Sequence, residues 1–150
     1  MRRVERLAES AVTRQVTGRL VVETRGPGFT EITREAAAFV REAGLHHGLL
    51  TLFCRHTSAS LTIQENADPD VRTDLMTALD RLAPRDEPYV HGIEGPDDMP
   101  AHIRTLLTDA AMTIPLVEGR LALGTWQGIY LIEHRDRPHR REIVLHLVGA

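Results

Sequence analysis

From Thr113 to Val148 the chain is a succession of short β-rich runs: Thr113 to Val117, Leu121 to Leu123, Ile129 to Glu133 and Glu142 to Val148. Only the turn EGR, the break GTWQG and the turn RDRP separate them. None of these connections has room for a crossover helix, so the last third of the chain must be sheet joined by short turns.

Ahead of that block the pattern is mixed. Val12 to Thr24 alternates β-branched and polar residues up to the turn signal RGPG, which reads as a strand bent near Gly18. Thr30 is placed to cap a helix through Ile32, Ala36, Phe39 and Val40, with Glu31 in its first turn and Gly44 as its stop. Gly48 to Cys54 is apolar enough for a strand covered on both faces, and Ser60 to Gln64 forms the next strand, entered through HTSAS. Asp68 and Pro69 open a second helix through Val71, Leu75, Met76, Leu79 and Leu82, ended by Pro84. A third helix is expected from about Met99 to Thr108, with His102 in its first turn. The sum is one α+β domain over residues 1–150, not a string of βαβ units. With 42% apolar residues it can bury a core unaided, and its single cysteine, Cys54, sits in the apolar run LLTLFC as a buried thiol.

The formal charge of -3 and the absence of any basic block exclude nucleic acid as an expected partner. The start MRRVERLAES lacks the apolar core of a signal peptide, and no apolar stretch approaches the roughly 20 residues needed to span a bilayer. The expected setting is therefore cytoplasmic, away from membranes.

Chemistry concentrates in two stretches, RHTSASLTIQENADPDVRTD from Arg55 and HGIEGPDDMPAH from His91. The second lies in the longest aperiodic segment, Pro84 to Pro100. His56 heads the hydroxyls Thr57, Ser58 and Ser60, a set that binds an anion or satisfies a tight turn. Gln64, Glu65, Asn66, Asp68 and Asp70 are rich in oxygen but lack the spacing of an EF-hand, and Asp68 reads as a helix cap. His91 and His102 bracket Glu94, Asp97 and Asp98, so imidazoles from both ends and a carboxylate such as Glu94 can hold a divalent ion. GTWQG offers Thr125 and Gln127 as hydrogen-bonding groups beside Trp126, which either stacks on a ligand or packs against protein. His134, His139 and His146 read as structural. No phosphate-binding glycine loop and no G-x-S-x-G is present.

The stretches HTSASLTIQENADPDV, HGIEGPDDMPAHI, TIPLVEGRLALGTWQGIYLIEHR and REIVLHL, in that order, closely resemble the YjbQ family from about residue 50 onward. The resemblance implies a mixed, mostly antiparallel sheet wrapped on a few helices, assembled as a homotrimer with sites near subunit boundaries. It also implies a secondary thiamine phosphate synthase activity, joining hydroxymethylpyrimidine diphosphate to thiazole phosphate with release of pyrophosphate. The family pattern falls on His56, Thr57, Ser58, Glu65, Asn66, Asp68, His91, Glu94, Gly95, His102, Gly124, Thr125, Gln127, Gly128 and Glu133. Read this way, His56, Glu65, His102 and Glu133 are the catalytic candidates, and Thr57, Ser58, Asn66, Thr125, Trp126 and Gln127 are the substrate-binding ones. Pyrophosphate displacement would use Mg²⁺ on Glu94, Asp97 and Asp98. Two other readings stand beside it. One is a metal-dependent hydrolase or lyase, with Zn²⁺ on His56, His91 and His102, supported by Glu94, and Glu65 or Glu133 as base. The other is a trimer that binds a small anionic metabolite without turning it over.

Overall fold

In the computed structural model, which describes residues 1–150, strand β1 (Arg14–Glu23) leads through the RGPG turn into β2 (Gly28–Glu31), and helix α1 (Thr33–Ala43) follows. Next come β3 (Gly48–Cys54), β4 (Ala59–Glu65), α2 (Pro69–Leu82) and α3 (Asp98–Leu107). The chain closes with β5 (Ala111–Val117), β6 (Arg120–Leu121), β7 (Gln127–Glu133) and β8 (Arg140–Gly149). The strands make two sheets, β1-β8-β3-β5-β6 and β2-β7-β4. Every strand pairing is antiparallel, so the expected mixed sheet is replaced by two antiparallel ones. A bridge between Leu61 and Asp109 ties the smaller sheet to the segment entering β5.

Alternation sets which side chains meet. Leu50, Leu52 and Cys54 of β3, Ile114 and Leu116 of β5, and Ile143, Leu145 and Leu147 of β8 point inward. They pack with Leu61, Ile129 and Leu131 of the smaller sheet and with Ile32, Ala36 and Val40 beside and along α1. β7, the middle strand of the smaller sheet, is buried from Gly128 to Glu133, which is why QGIYLIE reads as a continuous apolar run. Cys54 is buried as expected, and burial pushes its thiol up to about 11. No helix is long and apolar enough to cross a membrane.

Two helix boundaries differ from expectation. Thr30 and Glu31 do not start α1: they pair with Leu131 and Tyr130 of β7 as the end of an edge strand. The helix begins at Thr33 without a side-chain cap, because the gain from completing the sheet outweighs about 1 kcal/mol of capping. Likewise α3 starts at Asp98, so His102 occupies its second turn and gains little from the amide groups at the helix start. Asp68 does cap α2, its carboxylate accepting the Asp70 N–H at 2.9 Å, with Pro69 at the first helical position.

Candidate functional site

The segment from Pro84 to Asp97 has no regular structure, but it is pinned at both ends. Arg85 near its start forms a two-pronged pair with Asp136 in the β7–β8 turn, and Asp97 at its end takes the Arg135 Nε at 2.9 Å and the Asp136 N–H at 2.9 Å. Between these clamps the chain bows outward and returns His91 to the body. His91 Nε2 lies 2.7 Å from Asp98 Oδ2, and His102 Nε2 reaches the same oxygen at 3.2 Å.

Helical periodicity explains the second contact, since Asp98 and His102 are four residues apart and share a face of α3. The two imidazoles stand edge to face, their centroids 5.4 Å apart, and the three donor atoms lie within 4.8 Å of one another. Asp98 is buried, whereas His91 and His102 are partly open to solvent. Burial alone would raise the Asp98 carboxyl; hydrogen bonding from His91, the Arg135 charge and His102 overcome it and hold the group below its usual range. The result is an ionised carboxylate with one oxygen, Oδ2, offered to the two imidazoles.

Two imidazole nitrogens and one carboxylate oxygen match the donor set of three-ligand transition-metal sites that keep a position open. A tetrahedral shell with bonds near 2 Å separates its donors by about 3.3 Å; the His102–Asp98 contact at 3.2 Å meets that spacing, and the His91–Asp98 hydrogen bond at 2.7 Å would open to admit an ion. Imidazole donors suit Zn²⁺ and its neighbours, while Mg²⁺ favours an all-oxygen shell.

The remaining sequence candidates are distributed elsewhere. His56 is not a fourth donor, because its Nε2 accepts the Glu142 N–H of β8 at 2.8 Å. The Glu94 side chain is exposed and makes no hydrogen bond, while its carbonyl accepts Arg135 Nη2 at 2.8 Å. Thr57 approaches α3 through its backbone, its carbonyl accepting the Thr105 hydroxyl at 3.2 Å. The Ser58 hydroxyl accepts Arg141 Nη2 at 3.0 Å.

Glu133, expected as a general base, has no free oxygen with which to act as one. Arg141 clasps both its oxygens, Thr24 Oγ1 donates to Oε2 at 2.7 Å, and the His134 and Arg135 N–H groups donate to Oε1 at 3.0 Å. Burial, which would raise its carboxyl, is outweighed by those donors, and the group sits below the ordinary glutamate range. It holds the strand end together.

Glu65, Asn66, Thr125, Trp126 and Gln127 gather at the opposite end of β4 and β7, since Glu65 pairs with Gln127 there while Ala59 pairs with Glu133 near α3. Seven residues of strand separate the two ends by roughly 20 Å. At that far end Glu65 accepts the Asp68 N–H at 3.3 Å, Asn66 donates to Glu31, and Gln127 accepts the Gly124 N–H at 2.7 Å. Trp126 is 63% exposed.

Asp98 is one of three carboxylates between His91 and His102, and the D-x-x-x-H spacing singles it out once α3 starts at Asp98. Arg135 emerges as the residue that organises the site, and nothing short of the fold brings it to Asp97 and Asp98. Beside it opens a cavity of about 650 Å³, lined by Glu94, Asp97, Arg135, Arg137 and His139 among others. Arg137 makes no ion pair there, and the His139 Nδ1 is engaged by the Arg137 carbonyl at 2.7 Å.

A family model described as UPF0047 protein YjbQ-like matches residues 18–150. A UPF0047 protein of Synechocystis sp. is 51% identical over 144 residues, covering 95% of this chain and 98% of that protein. The crystal structure of an uncharacterised conserved YjbQ/UPF0047 protein from Clostridium acetobutylicum superposes with a TM-score of 0.80 at 38% identity, over 86% of this chain and 98% of that one. A conserved hypothetical protein from Thermus thermophilus gives a TM-score of 0.78 at 42% identity, over 87% of this chain and 98% of that one.

Proposed function

The chain belongs to the YjbQ-like UPF0047 family, and from its own side-chain geometry we propose that it carries a divalent-metal site and is a metal-dependent hydrolase or lyase acting on a small anionic substrate. The observation that carries this reading is the convergence of His91 Nε2, His102 Nε2 and Asp98 Oδ2. A Zn²⁺-class ion held there supplies Lewis-acid polarisation and a lowered pKa for a coordinated water. The chain's own residues do the rest. Asp98 and the two histidines hold the ion, with a position left toward solvent. Arg137, the unpaired cation of the neighbouring cavity, orients an anionic group, and Glu94 at the rim is a carboxylate free to take a proton. Cavities of this size accept small metabolites.

A second reading is the thiamine phosphate synthase chemistry that the resemblance implies. What favours it is that the same cavity lies beside acidic and basic side chains together, a setting for a phosphorylated substrate with its ion. We also propose the homotrimer. Its support is the outer face of the larger sheet, where Leu49 and Phe53 of β3 lie exposed beside Val144 and Val148 of β8 and Ala111 and Pro115 of β5. A neighbouring copy would also give the far-end cluster around Trp126 a site to complete.

Elemental analysis of the purified protein beside His102→Ala and Asp98→Ala variants, at matched folding, tests the metal reading. A stoichiometric transition metal in wild type and its loss from both variants is the expected result; protein without metal that also takes up none on dialysis overturns it. The metal-loaded protein is then assayed against phosphate and carboxylate esters and for thiamine phosphate formation. Turnover in one assay selects between the two enzyme readings, and saturable anion binding with no turnover in any overturns both in favour of a binding protein.

A further inference from the structure

Asp98 has two oxygens, and only one of them faces the imidazoles. The other, Oδ1, accepts Arg135 Nη1 at 2.8 Å. Arg135 has all three of its guanidinium nitrogens engaged: Nε on Asp97 Oδ2 at 2.9 Å, Nη1 on Asp98, and Nη2 on the Glu94 carbonyl at 2.8 Å with Asp97 Oδ1 at 3.4 Å. Asp97 is itself held by the Asp136 N–H. The guanidinium is mostly buried, as are both aspartates, so this fork is shielded from water and fixed in direction.

A carboxylate left free to turn binds a divalent ion through both oxygens, filling a position that substrate or water would take. We infer that Arg135 is the positioning residue of the site: by occupying Asp98 Oδ1 it restricts Asp98 to one-oxygen ligation and keeps a coordination position open. This inference rests on the metal reading above and deepens it. Arg135 does not touch the ion or the reacting atoms. It acts through Asp98, and through Asp97 and the Glu94 carbonyl it also fixes the segment that delivers His91.

The test is titration of metal-free protein with Co²⁺, whose visible bands report both affinity and coordination number. Arg135→Met is expected to bind Co²⁺ about 10- to 100-fold more weakly, with weaker bands as the released Oδ1 enters the shell. Arg135→Lys, which keeps the charge but lacks the fork, is expected to recover part of the affinity and not the wild-type spectrum. Asp97→Asn, which loosens the clamp without touching Asp98, is expected to shift both in the same direction by less; it and the lysine variant carry the test should Arg135→Met fail to fold. Wild-type affinity and spectrum in the folded variants overturn the positioning role while leaving the metal site intact. Wild-type protein that takes up no Co²⁺ overturns the metal reading, and this role with it.

Discussion

Two residues show how a side chain's chemistry is set by what surrounds it. Glu133 and Arg141 are 1% and 3% exposed and satisfy each other almost completely. Removing one charge strands the other, so Glu133→Gln is expected to cost roughly 3–5 kcal/mol, read as a lowered urea midpoint. A smaller loss of stability together with a selective loss of turnover would restore Glu133 as a base. His134, at 1% exposure, has its Nε2 on the Ser60 hydroxyl at 2.8 Å. Burial first, and then the Arg104 charge, push it down to about 4 from an ordinary 6.5. Below pH 6.5 the unfolded chain takes up a proton that the folded protein refuses until about pH 4. Stability is therefore full above that window and falls by about 3 kcal/mol as pH drops through it. His134→Gln should flatten most of this decline in urea titrations run from pH 7 to 4; His56, also lowered by burial, leaves a residual slope. An unchanged pH profile in the variant would refute the assignment. Asp97, which burial would raise but which Arg135 and the Asp136 N–H hold at about 2, adds a separate loss only below about pH 4.

Element boundaries reveal where local signals suffice and where they are overruled. The cap at Asp68 and the stop at Gly44 were both legible, because each is a local interaction: a carboxylate on the Asp70 N–H, and a left-handed residue at φ 70°. Asp68→Ala is expected to cost about 1 kcal/mol, and Gly44→Ala about the same, both measured by thermal unfolding; no shift in Tm for either would show these ends to be set by packing instead. Thr30 carried an equally good local signal and lost it to pairing with β7, a strand a hundred residues away. α3 starts one residue earlier than its periodicity suggests, which moves His102 out of the first turn and puts Asp98 on the same helical face. His91 and His102 were legible as a pair because they bracket an aperiodic acidic loop. His56 and Glu133 enter the expected site through the family pattern, and the fold commits both to strand β8 and its neighbours.

For the whole molecule, the sheets decide what is brought together. Antiparallel closure places Thr57, α3 and the β7–β8 turn around one end of the smaller sheet and leaves the Trp126 cluster at the other. The uncovered outer face of the larger sheet, with Phe53 48% exposed, belongs to the same scale. Phe53→Asp combined with Leu49→Asp is expected to convert a trimer to monomer in sedimentation analysis without loss of folded structure. A wild type that already sediments as a single chain would remove the trimer proposal. Much was readable from sequence: that the chain is α+β, that its last third is strands joined by turns, where α2 lies, and that His91 and His102 belong together. Those features follow from periodicity, turn chemistry and caps, which act within a few residues. Which carboxylate meets the histidines, which oxygen of it Arg135 occupies, and which candidates sit a strand's length away were settled by tertiary structure alone, because they depend on contacts between segments whose separation along the chain carries no signal of their distance in space.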